Sequence, residues 1–141
     1  MDDLNSKKSY EPWKVYQQSK MCNILFTLSL AKKLNGTGVT VNALHPGIIR
    51  TELVRYYQEA YKWSALAFQL VFALTYPLRL WFMKSAWQGA QTTIYCAVDE
   101  KLANVTGKYF SDCKERPLMP EILNESIAED LWRQSVDMVQ L

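Results

Sequence analysis

A tyrosine and a lysine four positions apart, Tyr16 and Lys20, are the first residues of this sequence that could carry chemistry. On a helix, residues i and i+4 lie on one face, so the Lys20 ammonium would lie near the Tyr16 phenol. A free tyrosine has a pKa near about 10, and a neighbouring positive charge stabilises the phenolate and lowers that pKa. A tyrosine adjusted in this way can donate or accept the proton of a reacting C–O group. The spacing therefore predicts Tyr16 as a general acid and base assisted by Lys20.

The same spacing occurs a second time, at Tyr10 and Lys14, so the spacing alone is not specific. Pro12 lies between these two residues, and proline disrupts a helix interior, so we predict a surface loop over residues 1–13. Tyr16 and Lys20 instead open an amphipathic run that predicts a helix over about residues 15–34. The context therefore favours Tyr16 and Lys20 over the earlier pair.

The elements that follow this helix indicate an α/β fold. Asn35-Gly36 is a typical helix stop, and residues 39–44 predict a buried strand that Pro46-Gly47 ends. A helix, a tight turn and a strand form the second half of a β-α-β unit. The other predicted elements are a helix over residues 85–98, a strand over 108–110, a loop between Pro117 and Pro120, and an acidic helix over 125–139.

The composition sets limits on the class of protein. The chain has 141 residues, of which 49% are hydrophobic and 21% charged, as in a globular domain and unlike a disordered or collagen-like chain. Its five glycines form no G-x-G-x-x-G and no P-loop motif. One histidine and three widely separated cysteines, with no C-x-x-C, predict reduced thiols and no metal site. No basic run exceeds two residues, so we expect no nucleic-acid partner.

The paired motif resembles the C-terminal half of the short-chain dehydrogenase/reductase family. Tyr-x-x-x-Lys at 16–20, the long helix and the segment HPGIIRT at 45–51 carry this resemblance. The stretch YQQSKMCNILFTLSLAKKLNGTGVTVNALHPGIIRTEL is similar to the retinol dehydrogenases of that family and, somewhat less, to the WW-domain-containing oxidoreductase. QGAQTT at 88–93 and GKYFSDC at 107–113 fit the same subgroup, so the resemblance covers nearly the whole chain.

The resemblance implies the C-terminal part of a Rossmann-like, doubly wound parallel sheet that lacks the N-terminal dinucleotide-binding strands. We expect one partial domain over residues 1–141, with two of the family's seven strands. Its predicted parts are the catalytic helix (14–35), the strand and cofactor loop (39–62), an apolar substrate or membrane segment (63–83), and the last helices and strand (84–141).

The resemblance also implies roles for individual residues. Tyr16 would be the catalytic acid and base, and Lys20 would lower its pKa. The implied cofactor-binding positions are Tyr16 and Lys20 at the nicotinamide ribose, Pro46 and Gly47 beside the nicotinamide, Ile49 at the carboxamide, and Thr51 through its hydroxyl. The implied reaction is hydride transfer between NADP(H), rather than NAD(H), and a lipophilic alcohol or carbonyl such as retinol or retinal.

Two classes of function stay open, because parts of the family pattern have no match. The glycine-rich loop is absent from the chain, and neither Ser6, Ser9 nor Asn5 matches the family's catalytic serine or asparagine. In the first hypothesis, the chain is the C-terminal portion of an oxidoreductase and is inactive alone. In the second, it is a truncated, non-catalytic interaction module. Two parallel strands do not form an independently stable sheet, and their open edges pair with other chains.

The segment of residues 63–83 is the most apolar part of the chain, with 16 apolar residues in 21. That approaches the roughly 20 residues of a membrane span, but Gln69, Pro77 and Arg79 interrupt it. A lid at a bilayer interface, a buried core helix and a membrane span all fit. Its aromatic residues line a retinoid-sized pocket or belong to the core: Trp63, Phe68, Phe72, Trp81 and Phe82.

Partners and location follow from the same features. Residues 1–98 carry a net positive charge and include the apolar segment, which suits an anionic membrane surface. The resemblance to retinol dehydrogenases implies the cytosolic face of the endoplasmic reticulum, with the cytoplasm as the alternative. In the family, the helix with the tyrosine and lysine often lies at a homodimer interface. His45 has no acidic partner at a motif spacing and is expected to be structural. Arg50 is expected to contact a phosphate, a substrate or solvent.

Overall fold

The structure, a computed structural model, describes residues 3–49, 65–120 and 122–140. These residues form five helices, one short 3₁₀ turn and three strands. In chain order they are α1 (Pro12–Lys33), β1 (Ala43–His45), α2 (Ala65–Leu74), α3 (Tyr76–Phe82), α4 (Ala86–Val98), the 3₁₀ turn (Glu100–Leu102), β2 (Tyr109–Ser111), β3 (Lys114–Arg116) and α5 (Glu125–Val139).

Helix α1 begins at Pro12, so the predicted loop over residues 1–13 is wrong at its end. Proline is favoured at the first helical position because its missing N–H would have no partner there. Tyr10 lies outside the helix, whereas the Lys14 ammonium pairs with the Glu11 carboxylate at 2.7 Å. The Tyr10–Lys14 pair therefore shares no helix face, as predicted. The helix ends at Lys33, just before the expected stop, and Gly36 adopts a φ of 81°.

The three strands form one mixed sheet in the order β1-β2-β3. β1 and β2 are parallel, with Ala43 opposite Tyr109, and β2 and β3 are antiparallel. β3 was not predicted, so the expectation of two strands was wrong for the described residues. Asp112 and Cys113 both have left-handed φ values, 54° and 55°, which close a two-residue hairpin turn. This turn could not be predicted from the sequence, because it lacks the asparagine-glycine or aspartate-glycine pair typical of such hairpins.

Strand β1 is shorter and less buried than predicted. It covers Ala43–His45 rather than residues 39–44, and it includes His45. Just before it, side-chain bonds are interleaved with the backbone bond from the Gly107 N–H to the Val41 carbonyl, at 2.7 Å. The Val41 N–H donates to Thr106 Oγ1 at 3.0 Å, and the Asn42 amide bonds the backbone at Val105 and Lys108. β1 is only half-buried because no described strand lies on its other side.

The core lies between α1 and α5, where Leu25, Ala128 and Leu131 are buried together. Leu4, Met21, Cys22, Ile122 and Ile127 pack around them. α5 therefore has an apolar face as well as the expected acidic one, and its first turns carry Glu125 and Glu129, which pair with Lys32 and Lys33 of α1.

A second packing layer joins the sheet to α4. Phe110 of β2 is 1% exposed and meets Tyr95 edge-on, with ring centroids 6.1 Å apart. Thr92, also 1% exposed, accepts a hydrogen bond from the Cys113 N–H at 3.3 Å. α4 thus covers one face of the sheet and holds the hairpin turn.

The apolar segment forms two short helices, α2 and α3, separated at Thr75. Their described large apolar side chains are exposed, so the alternative of a buried core helix does not hold for them. These side chains are Leu66, Leu70, Val71, Phe72, Leu74, Tyr76, Leu78 and Phe82. No helix in the described ranges has the length and hydropathy needed to cross a bilayer. Trp63 lies outside the described residues.

Candidate active site

The second turn of α1 brings Tyr16 and Lys20 onto one face. The Lys20 ammonium lies 5.3 Å from the centroid of the Tyr16 ring. The Trp13 ring stacks on the Tyr16 ring, with the two centroids 5.8 Å apart and an angle of 18° between the ring planes. Tyr16 is 40% exposed, so its phenol is open to a ligand. The shared face predicted from the i, i+4 spacing is therefore present.

The second part of the predicted site is the segment Pro46–Ile49, which we call the 46–49 loop. It follows the carboxyl end of β1, the edge where ligands bind in open α/β sheets. The Gly47 N–H donates to His45 Nδ1 at 3.0 Å, so His45 shapes the turn, which agrees with its expected structural role. Gly47 has a φ of 91°, a conformation that favours glycine.

The 46–49 loop is attached to the start of α4, a contact that the sequence analysis missed. The Lys84 N–H donates to the Ile48 carbonyl at 2.8 Å, and Ile49 forms a parallel bridge with Lys84. Ser85 and Gln88 form a capping box that begins α4 directly after Lys84. This S-x-x-Q pattern was the available sign of a helix start, but nothing in it indicated contact with the loop.

The structure presents these two parts of the site without a direct bond between them. Among the described residues, no hydrogen bond or ion pair joins Tyr16 or Lys20 to the 46–49 loop. Arg50 and Thr51 lie outside the described residues. The predicted cofactor role of Thr51 stays a prediction.

A cleft of about 710 Å³ lies at the other end of α1 and does not include the predicted site residues. It is bounded by Ser29 and Lys32 of α1, by Thr106-Gly107 and by the first turn of α5. The cleft is distinct from the Tyr16 face.

The three cysteines are free and partly buried. Burial raises the pKa of the Cys22 thiol, and burial together with the nearby Cys113 raises that of Cys96. Cys22 and Cys96 therefore hold their protons more strongly than exposed cysteines do. Within the described residues, no group of three or more His, Cys, Asp or Glu side chains could hold a metal ion.

Comparison with known proteins decides the family. A model of the short chain dehydrogenase family matches residues 4–62, which include Tyr16, Lys20 and the 46–49 loop. Human retinol dehydrogenase 14 is 45% identical over 141 residues, which is 99% of this chain and 39% of that protein. The chain belongs to the short-chain dehydrogenase family. The resemblance carried by the paired motif is thus confirmed, including its similarity to the retinol dehydrogenases.

Other members of this short-chain dehydrogenase group are similar over the same span. Retinol dehydrogenase 12 of Bos taurus is 42% identical over 137 residues, 97% of this chain and 40% of that protein. Human retinol dehydrogenase 13 is 41% identical over 144 residues, 99% of this chain and 41% of that protein. The chain spans about two fifths of the length of these relatives. The described three-strand sheet is consistent with part of the family's Rossmann-like domain.

Short-chain dehydrogenases use NAD(P) cofactors, and the described residues fit one portion of such a group. The open Tyr16 phenol and Lys20 ammonium suit the hydroxyls of a nicotinamide ribose, because both side chains can form hydrogen bonds there. The 46–49 loop follows the carboxyl end of β1, the edge where ligands bind in open α/β sheets, and a nicotinamide ring would meet the loop there. The sequence contains no glycine-rich motif for the phosphates. The fit therefore concerns the nicotinamide and its ribose.

Proposed function

We propose that this chain serves an NADP(H)-dependent oxidoreductase that interconverts a lipophilic alcohol and its carbonyl, of the retinol and retinal type. The observation that carries the proposal is the stack of Lys20 on the exposed Tyr16, in a sequence 45% identical to a retinol dehydrogenase. The preference for NADP over NAD and the retinoid substrate come from that similarity.

The mechanism assigns a separate task to each described side chain. In the reducing direction the Tyr16 phenol donates its proton to the carbonyl oxygen, and in the oxidising direction the phenolate accepts the proton of the alcohol. The Lys20 ammonium lies 5.3 Å from the centroid of the Tyr16 ring, and its N–H groups can bind ribose hydroxyls. Trp13 stacks on the Tyr16 ring and shields one side of it. The nicotinamide, when bound, supplies or accepts the hydride.

Replacing Tyr16→Phe in the longest expressed form that contains this chain tests the assignment. We expect retinal reduction with NADPH to fall at least ~100-fold, the lower end of what general acid catalysis contributes. Titration of NADPH fluorescence should give nearly unchanged cofactor affinity, because the ribose contacts of Lys20 remain. Parallel titration with NADH tests the cofactor preference.

Tyr10→Phe is the matched control, since Tyr10 precedes Lys14 at the same spacing but lies outside α1. It should leave turnover unchanged. Full turnover in the Tyr16→Phe variant, or an equal loss in both variants, would refute Tyr16 as the acid and base.

We also propose a membrane surface as a partner of this protein, at the cytosolic face of the endoplasmic reticulum, with the cytoplasm as the alternative location. The support is the row of exposed apolar side chains on α2 and α3. Amphipathic or apolar helices of this length lie in the interface rather than across it. A homodimer through α1 is a further proposal, supported by the exposed Trp13 and Phe26 on that helix.

A non-catalytic interaction module is the second candidate function. The observation that favours it is β1, which has no neighbour on one side among the described strands. Such an edge exposes unpaired backbone groups that can bind another chain. Titrating the 141-residue chain alone with NADPH separates the two candidates: tight binding would argue against a module without a cofactor site, and no binding would favour it.

A further inference from the structure

Three segments distant in the sequence meet at the 46–49 loop. They are the loop itself, Lys84 just before α4, and Asp112 in the turn between β2 and β3. The Lys84 backbone N–H bonds the Ile48 carbonyl at 2.8 Å, so the main chain of Lys84 already fixes one side of the loop.

The Lys84 side chain lies across the α-carbon of Gly47. A Cβ placed on Gly47 would come within 2.8 Å of Lys84 Cδ and 2.9 Å of both Cε and Nζ. Such distances are too short for a real side chain, so the close contact depends on glycine at position 47. The aliphatic part of Lys84 therefore covers the loop at its most sharply turned residue.

The ammonium of Lys84 is held by an ion pair with the Asp112 carboxylate. Asp112 is itself placed by the hairpin turn, whose Cys113 N–H donates to the buried Thr92 Oγ1 of α4 at 3.3 Å. The Lys84 ammonium lowers the pKa of the Asp112 carboxyl, so this carboxylate stays charged at neutral pH. One end of the lysine thus lies on the loop and the other is anchored to the sheet.

We infer that Lys84, oriented by Asp112, is a positioning residue that holds the 46–49 loop in the shape required beside the nicotinamide. The inference rests on the proposed function for what the loop binds, and on the contacts above for how the loop is held. Lys84 touches no reacting atom in this arrangement. It acts through Gly47 and Ile48.

Amide hydrogen exchange of the 141-residue chain tests directly whether Lys84 and Asp112 hold the 46–49 loop in place. Lys84→Met keeps the aliphatic length and removes the charge, and Asp112→Asn removes its partner. We expect the Gly47 amide to exchange roughly two- to fivefold faster in each variant, the range that a partly exposed ion pair supports. The double variant should show no further increase, because both changes break the same pair. Lys84→Arg should restore slow exchange.

Lys108→Met is the matched control, because Lys108 forms an ion pair with Glu115 at 3.1 Å on the same hairpin without touching the loop. It should leave Gly47 exchange unchanged. Unchanged exchange in Lys84→Met and Asp112→Asn, additive effects in the double variant, or an equal effect of Lys108→Met would each overturn the inference.

Kinetics of the longest expressed form test the functional part. Lys84→Met should raise the KM for NADPH by about the same two- to fivefold while kcat stays near wild type, because Tyr16 and Lys20 are untouched. A fall in kcat with an unchanged KM would contradict a positioning role. If the unaltered protein bound no NADPH, the proposed function would be refuted but the inference about Lys84 would not, because the hydrogen-exchange experiment tests Lys84 separately.

Discussion

Gly89 of α4 is the residue whose missing side chain allows the helix to approach the 46–49 loop. A Cβ at this position would overlap Ile49 Cδ1 and lie 2.8 Å from Ile49 Cγ1. Gly89 is buried, and the Ile49 side chain would have to move for a Cβ to fit there. The contact explains why a glycine, which is unfavourable inside a helix, stands in the first turn of α4.

We predict that Gly89→Ala destabilises the chain by about 1–3 kcal/mol, the usual cost of overpacking. Urea unfolding followed by circular dichroism measures the change. In an Ile49→Ala background the overlap disappears, and Gly89→Ala should then stabilise α4 through its better helix propensity, by up to ~1 kcal/mol. Destabilisation of equal size in both backgrounds would contradict the proposed contact.

The thiol of Cys96 provides a pH-dependent prediction. Burial and the nearby Cys113 raise its pKa in the folded chain. Its thiolate, the reactive form, therefore appears at higher pH in the folded state than in the unfolded state. Raising the pH above the unfolded pKa consequently favours unfolding, because the unfolded chain loses its proton first.

Iodoacetamide labelling, with the site read by mass spectrometry, measures this shift. The inflection of the Cys96 labelling rate should lie at higher pH in buffer than in urea. Coincident inflections in the two conditions would contradict it, even if the folded protein were labelled more slowly at every pH.

At the scale of a whole element, the Asn42 side chain lies just before β1 and bonds the segment that leads into β2. Its amide donates to the Val105 carbonyl at 2.7 Å and accepts from the Lys108 N–H at 3.0 Å. They lie between two backbone bonds, from the Gly107 N–H to the Val41 carbonyl at 2.7 Å and from the Ala43 N–H to the Lys108 carbonyl at 2.9 Å. The Asn42 side chain therefore adds two bonds to the connection between β1 and the segment before β2.

We predict that Asn42→Ala lowers the free energy of unfolding by about 1–3 kcal/mol, because two backbone groups lose their partners. The Lys108 amide should also exchange faster in hydrogen-exchange measurements. Asn42→Asp is the control that separates the two bonds: it retains the acceptor for Lys108 and loses the donor to Val105. Fast exchange of Lys108 in both variants would show that the acceptor does not protect this amide.

The large exposed apolar surface of α2 and α3 is the feature that concerns the whole molecule. Soluble monomers rarely leave such surfaces uncovered, and a bilayer interface is the occupant proposed above. Leu70 on α2 is 55% exposed, and Leu123, in the loop before α5, is 50% exposed. These two leucines form a matched pair, inside and outside the apolar segment.

We predict that Leu70→Glu weakens binding to vesicles containing anionic lipid at least roughly tenfold, because an apolar side chain would no longer enter the interface. Co-sedimentation with the vesicles measures the bound fraction. Leu123→Glu should leave binding unchanged. Equal loss in both variants, or no vesicle binding by the unaltered chain, would contradict the membrane proposal.

The sequence by itself determined the local parts of this protein. Helical spacing placed Tyr16 and Lys20 on one face, and the composition of residues 85–98 and 125–139 predicted α4 and α5 almost to the residue. The paired motif also identified the family, because helix, turn and strand are specified by neighbours along the chain. Pro12 was misjudged because its effect depends on whether it begins a helix or lies inside one.

Only the tertiary structure decided which distant segments touch. Three contacts join residues that are more than 35 positions apart in the sequence. They are Lys84 with Gly47, Ile49 with Gly89, and Asn42 with Val105. Only the tertiary structure likewise revealed the β2–β3 hairpin and the exposure of α2 and α3. Hydrophobic composition predicts that a segment prefers an apolar environment, but burial depends on whether another element lies against it, and the large apolar side chains described on α2 and α3 are exposed.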